Sequence, residues 1–471
     1  MFDLRKIFGT KTEKVTLSKE EIAALLKTDP ESLRKFEESY TDHVLKNDTL
    51  DKNFFKINAK QIVKEKKTIF LSDFASKSGD YDSIIQRIVS ELLEQAVVYC
   101  WDGKQEHVET FQVLPDNYYP VTKSKLQEIP ESYRPQLTGN LYMKDLKGES
   151  STALLYQYKM YLESTDPKVK QHFYHMFRQG LDILDLDPVT YKIIDRNVNS
   201  MGYWLPALAD AVKGQDFFKI PATKVLKVPL SLLQLTRQEY MELTPTTLRI
   251  VDEFCSKAFG LDPDKEYFIK TGTYSSKYDF RNAHVVGEKE VNELGEYLLF
   301  VHFQALCYAH YDLSGKNQRS VYGMSTTTEW VVRDYIQPQK RTQEIYSGLP
   351  LRPEYRVFID FDADEILGIS PYWESGMMKK RFGHAEDSGN PDIVHDYIIY
   401  CAMEEELINQ YSKNKDTVLQ KIRDLIPAVQ LRGQWSMDIL QNGSDFYIID
   451  MALAANSALK ECVPAESLKK V

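Results

Sequence analysis

Lys270 ends the apolar run of "YFIKTGTYSSKYDF", and Thr271, Gly272, Thr273, Ser275 and Ser276 follow it directly. Farther along, "EWVVRDYI" carries Arg333, Asp334 and Tyr335, and "EYRVFID" carries Arg356. Asp438 and Asp450 then lie in "SMDILQNGSDFYIIDMA". A lysine anchored at a strand end offers a point charge to phosphate oxygens. A loop with glycine and hydroxyls offers N–H and O–H donors that can close over them. Arginine stabilises charge developing on a transferred phosphoryl group. Paired carboxylates hold Mg2+, which keeps several waters and bridges phosphates. Each residue alone is ordinary; the ordered set predicts a site for a nucleoside triphosphate with Mg2+.

The elements that must position these residues are short β-rich runs: "TKVLKVPL", "YFIKTG", "EWVVRDYI", "EYRVFIDF", "EILGISPYW", "QWSMDIL" and "DFYIIDMA". Helical stretches separate them, notably "EKEVNELGEYLLFVHFQALCYAHY" and "DIVHDYIIYCAMEEELINQY". This alternation predicts an α+β fold with a mainly antiparallel sheet. Before residue 200 the texture is more helical. Ser18 and Glu21 read as a capping box, and Asp29 with Pro30 starts a second helix. "DYDSIIQRIVSELLEQA" has one apolar stripe, and "VVYCWDGKQEHVETFQVL" reads as a hairpin turning at Asp102-Gly103. A Pro-, Tyr- and Gly-rich loop spans 116–149, followed by two more helical stretches. We expect a mainly helical N-terminal region, 1–200, and an ATP-binding region, 201–471.

The region from Trp204 to Leu459 resembles the ATP-grasp superfamily, and within it the cell division cycle protein 123 family. "YWLPALADAV…PATKVLKVPLSLLQL", "FIKTGTYSSKYDFRNA", "EWVVRDYI", "LRPEYRVFIDFDADEILGIS" and "SMDILQNGSDFYIIDMA" carry the resemblance, in order. The resemblance implies that Lys270 contacts the α- and β-phosphates and that 271–276 cover the triphosphate. It makes 331–336 the adenine hinge, with Arg333, Asp334 and Tyr335 as contacts. Arg356 would meet the γ-phosphate or the transferred group, and Asp438 and Asp450 would ligate Mg2+. An earlier phosphate lysine would be Lys224 or Lys227. The family's usual Asn two residues after the last acidic ligand is absent: Met451 and Ala452 follow Asp450. Asn456, Ser457 or a water could replace it. The implied activity is ADP-forming ligation, in which a small-molecule or protein carboxylate is activated as an acyl phosphate for an amine or thiol. The alternative is an ATP-binding assembly chaperone or regulatory protein. An RNA-ligase type of nucleotidyl transfer fits poorly, because Gly272 follows Lys270 by two positions rather than three.

Side-chain alternation sets one condition on the metal pair. A strict two-residue turn at Asn442-Gly443 puts Asp438 and Asp450 on opposite faces of the sheet. The metal reading therefore requires an odd-length loop or a β-bulge.

Composition narrows the classes. With 59 basic and 69 acidic residues the net charge is −10, which argues against a general nucleic-acid coat. No apolar run is long enough for a membrane helix, and no membrane partner is expected. The five cysteines are scattered and never in a CxxC, which fits a cytoplasmic location and argues against a disulfide scaffold or zinc cluster. "DFDADE" reads as a charged turn, and His302 as a core or boundary residue.

Overall fold

The computed structural model of the chain describes residues 67–70, 80–112, short pieces between 160 and 194, 195–237, 242–313, 326–382 and 391–469. The capped helices expected near Ser18 and Asp29, and the loop 116–149, lie outside the described residues.

The strands, in chain order, begin with β1 (Lys67–Phe70), β2 (Val97–Trp101), β3 (Glu106–Gln112), β4 (Phe218–Lys219), β5 (Thr223–Lys227), β6 (Glu266–Thr271) and β7 (His284–Val286). They continue with β8 (Glu329–Asp334), β9 (Glu344–Ile345), β10 (Leu349–Pro350), β11 (Glu354–Asp360), β12 (Glu365–Pro371), β13 (Gln434–Asn442) and β14 (Asp445–Leu453). A first sheet has the order β1-β3-β2-β5-β8-β6-β7 and is antiparallel except for β1–β3. A second has the order β12-β11-β13-β14-β4 and is antiparallel except for β14–β4; β9 and β10 pair separately. The fold is thus mixed α and β with mainly antiparallel sheets. The texture change near residue 200 is not a boundary between sheets, because β2 pairs along its whole length with β5.

The apolar stripe predicted for 80–96 forms helix α1 (Asp80–Glu94), burying Ile85, Ile88, Val89, Leu92 and Leu93. Helix α2 (Met201–Val212) is buried on nearly all sides and carries Trp204 into the space between the sheets. Helix α3 (Pro245–Phe259) has a complete local signature. Thr244 caps its first turn by accepting from Thr247 N, Pro245 occupies the first position, and Gly260 ends it in the left-handed conformation. Helix α4 (Leu294–Leu313) packs on α3, and the long α5 (Pro391–Leu425) sends Val418, Ile422 and Leu425 to the second sheet. Among the described residues no helix is long and apolar enough to cross a membrane.

Strand parity divides the first sheet between two cores. Val98, Leu226, Ile269, Trp330 and Val332 face α1, α3 and α4. Tyr99, Val225 and Val331 face the other way, toward Met437, Ile439 and Ile448 of the second sheet. His302 is a core residue, as expected: it accepts a hydrogen bond from Trp330 Nε1 at 3.1 Å. "DFDADE" forms the turn from β11 to β12, with Lys469 Nζ 2.9 Å from Asp360.

The packing of α3 against α4 depends on Gly295. A Cβ there would lie 2.6 Å from the carbonyl carbon and oxygen of Val251. That contact is with backbone and cannot be relieved by a side-chain rotation. Gly295→Ala should therefore destabilise the fold by ~1–3 kcal/mol, seen as a lower urea midpoint with an unchanged m-value.

Candidate functional site

Lys270 lies across β6–β8 from Val331, so its side chain shares the face that looks toward the second sheet. It is almost fully buried, and its Nζ stands 3.0 Å from Asp450 Oδ1. Asp450 in turn lies directly opposite Asp438 in the β13–β14 ladder. The required bulge is present. Pairing runs Asn442 to Asp445 and Ile439 to Ile448, then shifts so that Asp438 meets Asp450 and Ile449 is the extra residue. The turn itself is Gly443-Ser444, one position later than the predicted Asn442-Gly443. Ile439 and Ile448 face the core; strict alternation beyond Ile448 would send Asp450 after them and leave Met451 in the cleft. The bulge reverses this assignment.

Arg333 holds the bulge. It points from β8 toward the second sheet, is 4% exposed, and donates through Nη1 to Ile449 O and through Nη2 to Ile448 O. Its Nε donates to Thr223 Oγ1 at 3.1 Å. Burial pulls its guanidinium down to about 10, against the raising effect of Asp450, so it remains charged at neutral pH. Arg333, expected as a nucleotide contact, lines the candidate cleft and also clamps the two sheets, its donors directed at backbone carbonyls that the bulge exposes.

Arg356 makes a bidentate pair with Asp438, Nε to Oδ1 at 2.7 Å and Nη2 to Oδ2 at 2.6 Å. Although burial opposes its charge, Asp438 holds the Arg356 guanidinium above its usual value. Arg356 and Lys277 both stand over the Tyr372 ring, with cation-to-centroid distances of 4.8 and 4.1 Å. Lys277 and Asp438 border a cleft of about 120 Å3, whereas Arg356, the expected γ-phosphate contact, is not among its lining residues and reaches it only through Asp438. Its charged wall includes Lys270, Lys277, Arg352, Glu354, Asp438 and Asp450, and its apolar wall includes Phe268, Phe280, Ile336, Leu349, Pro350 and Leu440. Asp334 and Tyr335 lie at its rim, with Asp334 3.7 Å from Lys265 and the Tyr335 ring against His284. Burial raises the Tyr335 hydroxyl above its usual value. A larger hollow, about 550 Å3, opens between the end of α2 and the end of α5. It has neither a strand-end lysine nor paired carboxylates, so chemistry selects the smaller cleft.

The expected phosphate loop, 271–276, lies at the end of β6, with its polar groups divided between the cleft and contacts inside the protein. Ser275 lines the cleft, but the neighbouring groups serve the protein. Thr271 Oγ1 accepts from Thr273 N and Tyr274 N, closing a local turn. Ser276 is buried and donates to Gln304 Oε1 at 2.6 Å. Gly272 is packed against Glu329 and Thr327, where a Cβ would come within 2.5 Å of either side chain. Glu329 is held by Gly202 N, and burial raises its carboxyl to about 7. Lys224 points away from the cleft to the carbonyl of Phe259, and Lys227 pairs with Asp195. Asn456 sits in the short turn after β14 with its Oδ1 buried and without a donor.

Lys277 is not singled out by the sequence, and Glu354 reads there only as an ion-pair partner flanked by Arg352 and Arg356. Lys277 follows the hydroxyl loop immediately, which was the available signal. Glu354 precedes Arg356 by two positions on β11, hence on the same face. Burial pushes the Glu354 carboxyl up to about 7; Lys277, Arg352 and Arg356 oppose that rise and Asp438 adds to it.

No protein-family model matches the chain, and no curated protein matches it. The solved structures that it is similar to include Cdc123 from Schizosaccharomyces pombe and a C-terminally truncated form of it. They are 13% and 12% identical to this chain, cover 58% and 57% of it and 93% and 90% of their own length, each with a TM-score of 0.33. Values this low describe a distant likeness in chain path and assign neither ligand nor activity.

Replacing Arg333 by Met keeps the apolar stem and removes the clamp, leaving bulge carbonyls without donors. The expected cost is about 3 kcal/mol, measured by chemical denaturation.

Proposed function

We propose that the cleft binds ATP together with Mg2+, in the manner of an ATP-grasp site. The observation that carries this reading is the convergence of Lys270, Asp438 and Asp450 from two sheets beside an apolar wall. A nucleotide needs both parts, an apolar slot for the base and fixed cations for the phosphates. Lys270 and Lys277, both of the charged wall, would hold phosphate oxygens. The base would lie near Phe268, Ile336 and Leu440.

The oxygen donors also fit Mg2+. Asp438 and Asp450 face each other, Asp450 Oδ2 accepts no hydrogen bond from the described residues, and Asn456 Oδ1 is an orphaned amide oxygen. Hard oxygen ligands are what Mg2+ selects. Asp438, Asp450 and Asn456 would hold it, where it would supply neutralising charge between phosphate oxygens. On this reading Lys270 would orient the phosphates, and Arg356, once released from Asp438, would balance charge as a phosphoryl group leaves.

The reaction such a site can host is ADP-forming activation of a carboxylate, small-molecule or protein, followed by attack of an amine or thiol. A second reading, ATP binding without rapid turnover in an assembly or regulatory role, is favoured by two observations. Lys270 and Arg356 are each paired with a candidate metal ligand, and the cleft is narrower than the roughly 300–1,000 Å3 of ligand pockets. Binding must exchange these ion pairs for phosphate and metal contacts.

Calorimetric titration with ATP and Mg2+ tests the site. Lys270→Ala and Asp450→Asn should each weaken binding ~10- to 100-fold; unchanged affinity in both would overturn the site. Labelled ATP then separates the two readings: ADP and phosphate released only when a carboxylate and an amine or thiol acceptor are both added support ligation, and binding without product supports the second. Covalent AMP on Lys270 would contradict both.

The Glu354 carboxyl adds a pH dependence. It is neutral below about 7 and anionic above it, when it opposes a triphosphate in the same cleft. ATP affinity should fall as pH rises from 6 to 8, and Glu354→Gln should flatten that profile.

A further inference from the structure

The hairpin of β2 and β3 brings together three metal-ligating side chains that are unremarkable in the sequence. Cys100 and His107 are cross-strand partners, and Glu109 lies two residues beyond His107 on the same face. One ligand atom from each of the three lies within 4.8 Å of the others, and His107 Nε2 is 3.1 Å from Glu109 Oε1. Among the described residues no other trio of His, Cys, Asp and Glu is gathered this closely. The face is the one turned toward α1 and α3, away from the nucleotide cleft.

We propose that Cys100, His107 and Glu109 form a zinc site, with water as the fourth ligand. A thiolate, an imidazole and a carboxylate are the donors zinc accepts in tetrahedral sites. Zinc–ligand distances of ~2.0–2.3 Å place tetrahedral donor atoms roughly 3.3–3.8 Å apart. The observed spread therefore needs side-chain rotations of about an ångström and no backbone movement. Regular pairing of β2 with β3, and of β2 with β5, holds the Cα positions through every residue concerned. Cys100 and Glu109 are buried, whereas the His107 side chain is 33% exposed, so the site opens on one side, where water can enter. Lys224, the cross-strand neighbour of Cys100 on β5, directs its ammonium to the Phe259 carbonyl at the end of α3. On binding, the Cys100 thiol gives its proton to solvent as the S–Zn bond forms; no oxidant or reductant takes part.

The competing account is a buried thiol acting as a small apolar residue beside a half-exposed histidine–glutamate hydrogen bond. Metal titration of the full chain separates the two. Protein stripped with EDTA and dialysed is titrated with Co2+ and followed by absorbance, and Zn2+ is then added in competition with a chromophoric chelator. One metal per chain is expected, with the d–d bands of a tetrahedral site and a thiolate-to-cobalt charge-transfer band. The charge-transfer band should disappear in Cys100→Ser, and Zn2+ affinity should drop about tenfold or more in His107→Gln. Asp450→Asn should change neither. Circular dichroism confirms that each variant is folded; if Cys100→Ser is not, His107→Gln carries the test. No bound metal in the native chain would overturn the proposal. So would a charge-transfer band of full strength in folded His107→Gln, which would assign the thiolate to the exposed Cys307, Cys401 or Cys462.

Discussion

The Arg333 guanidinium, buried where the two sheets meet, is the constraint on which the site depends. A β-bulge leaves backbone carbonyls out of the ladder, and buried carbonyls without donors are costly. Arg333 supplies those donors to Ile448 and Ile449 from the neighbouring sheet. The interaction has two consequences. It fixes the distance between sheets at the point where Lys270 reaches Asp450. It also stabilises the change of strand parity that turns Asp450 toward Asp438 instead of into the core around Met437 and Ile439. A lysine could not replace it readily, because one ammonium lacks the planar fork that spans two successive carbonyls and a threonine hydroxyl.

Around this clamp the charges are arranged in opposed pairs. Lys270 faces Asp450, and Arg356 faces Asp438 with both oxygens engaged. The Tyr372 ring is within cation–π reach of both Arg356 and Lys277, which favours two positive groups near one aromatic face. Such pairing satisfies buried charges that would otherwise be expensive to desolvate. It also narrows the cleft. A charged ligand therefore competes with internal partners, and its affinity is the difference between the contacts it makes and those it displaces.

Much of the second half was legible as elements. Every β-rich run named from the sequence is a strand, because alternation and turn residues carry that signal locally. The site was legible in part. Lys270, Ser275, Asp438 and Asp450 converge on one cleft, whereas Thr271, Gly272 and Ser276 are used by the protein itself. A run of small and hydroxyl residues looks the same whether it will cover a ligand or close a turn. Lys224 shows the same ambiguity: its strand was readable, but its orientation depends on which sheet face carries α3.

The sequence by itself determined the mixed α and β character, the strand-end lysine, the carboxylate pair and the condition that an extra residue must separate them in register. These follow from composition, periodicity and side-chain alternation, which act over a few residues. Tertiary structure decided where the extra residue sits, that Arg333 serves the bulge, that Lys277 and Glu354 join the cleft, and that β2 and β5 link the two halves of the chain in one sheet. It also decided that Cys100, His107 and Glu109 are neighbours. Each of these is a relation between segments far apart or on opposite strands, set by register and sheet order, and no local spacing encodes it.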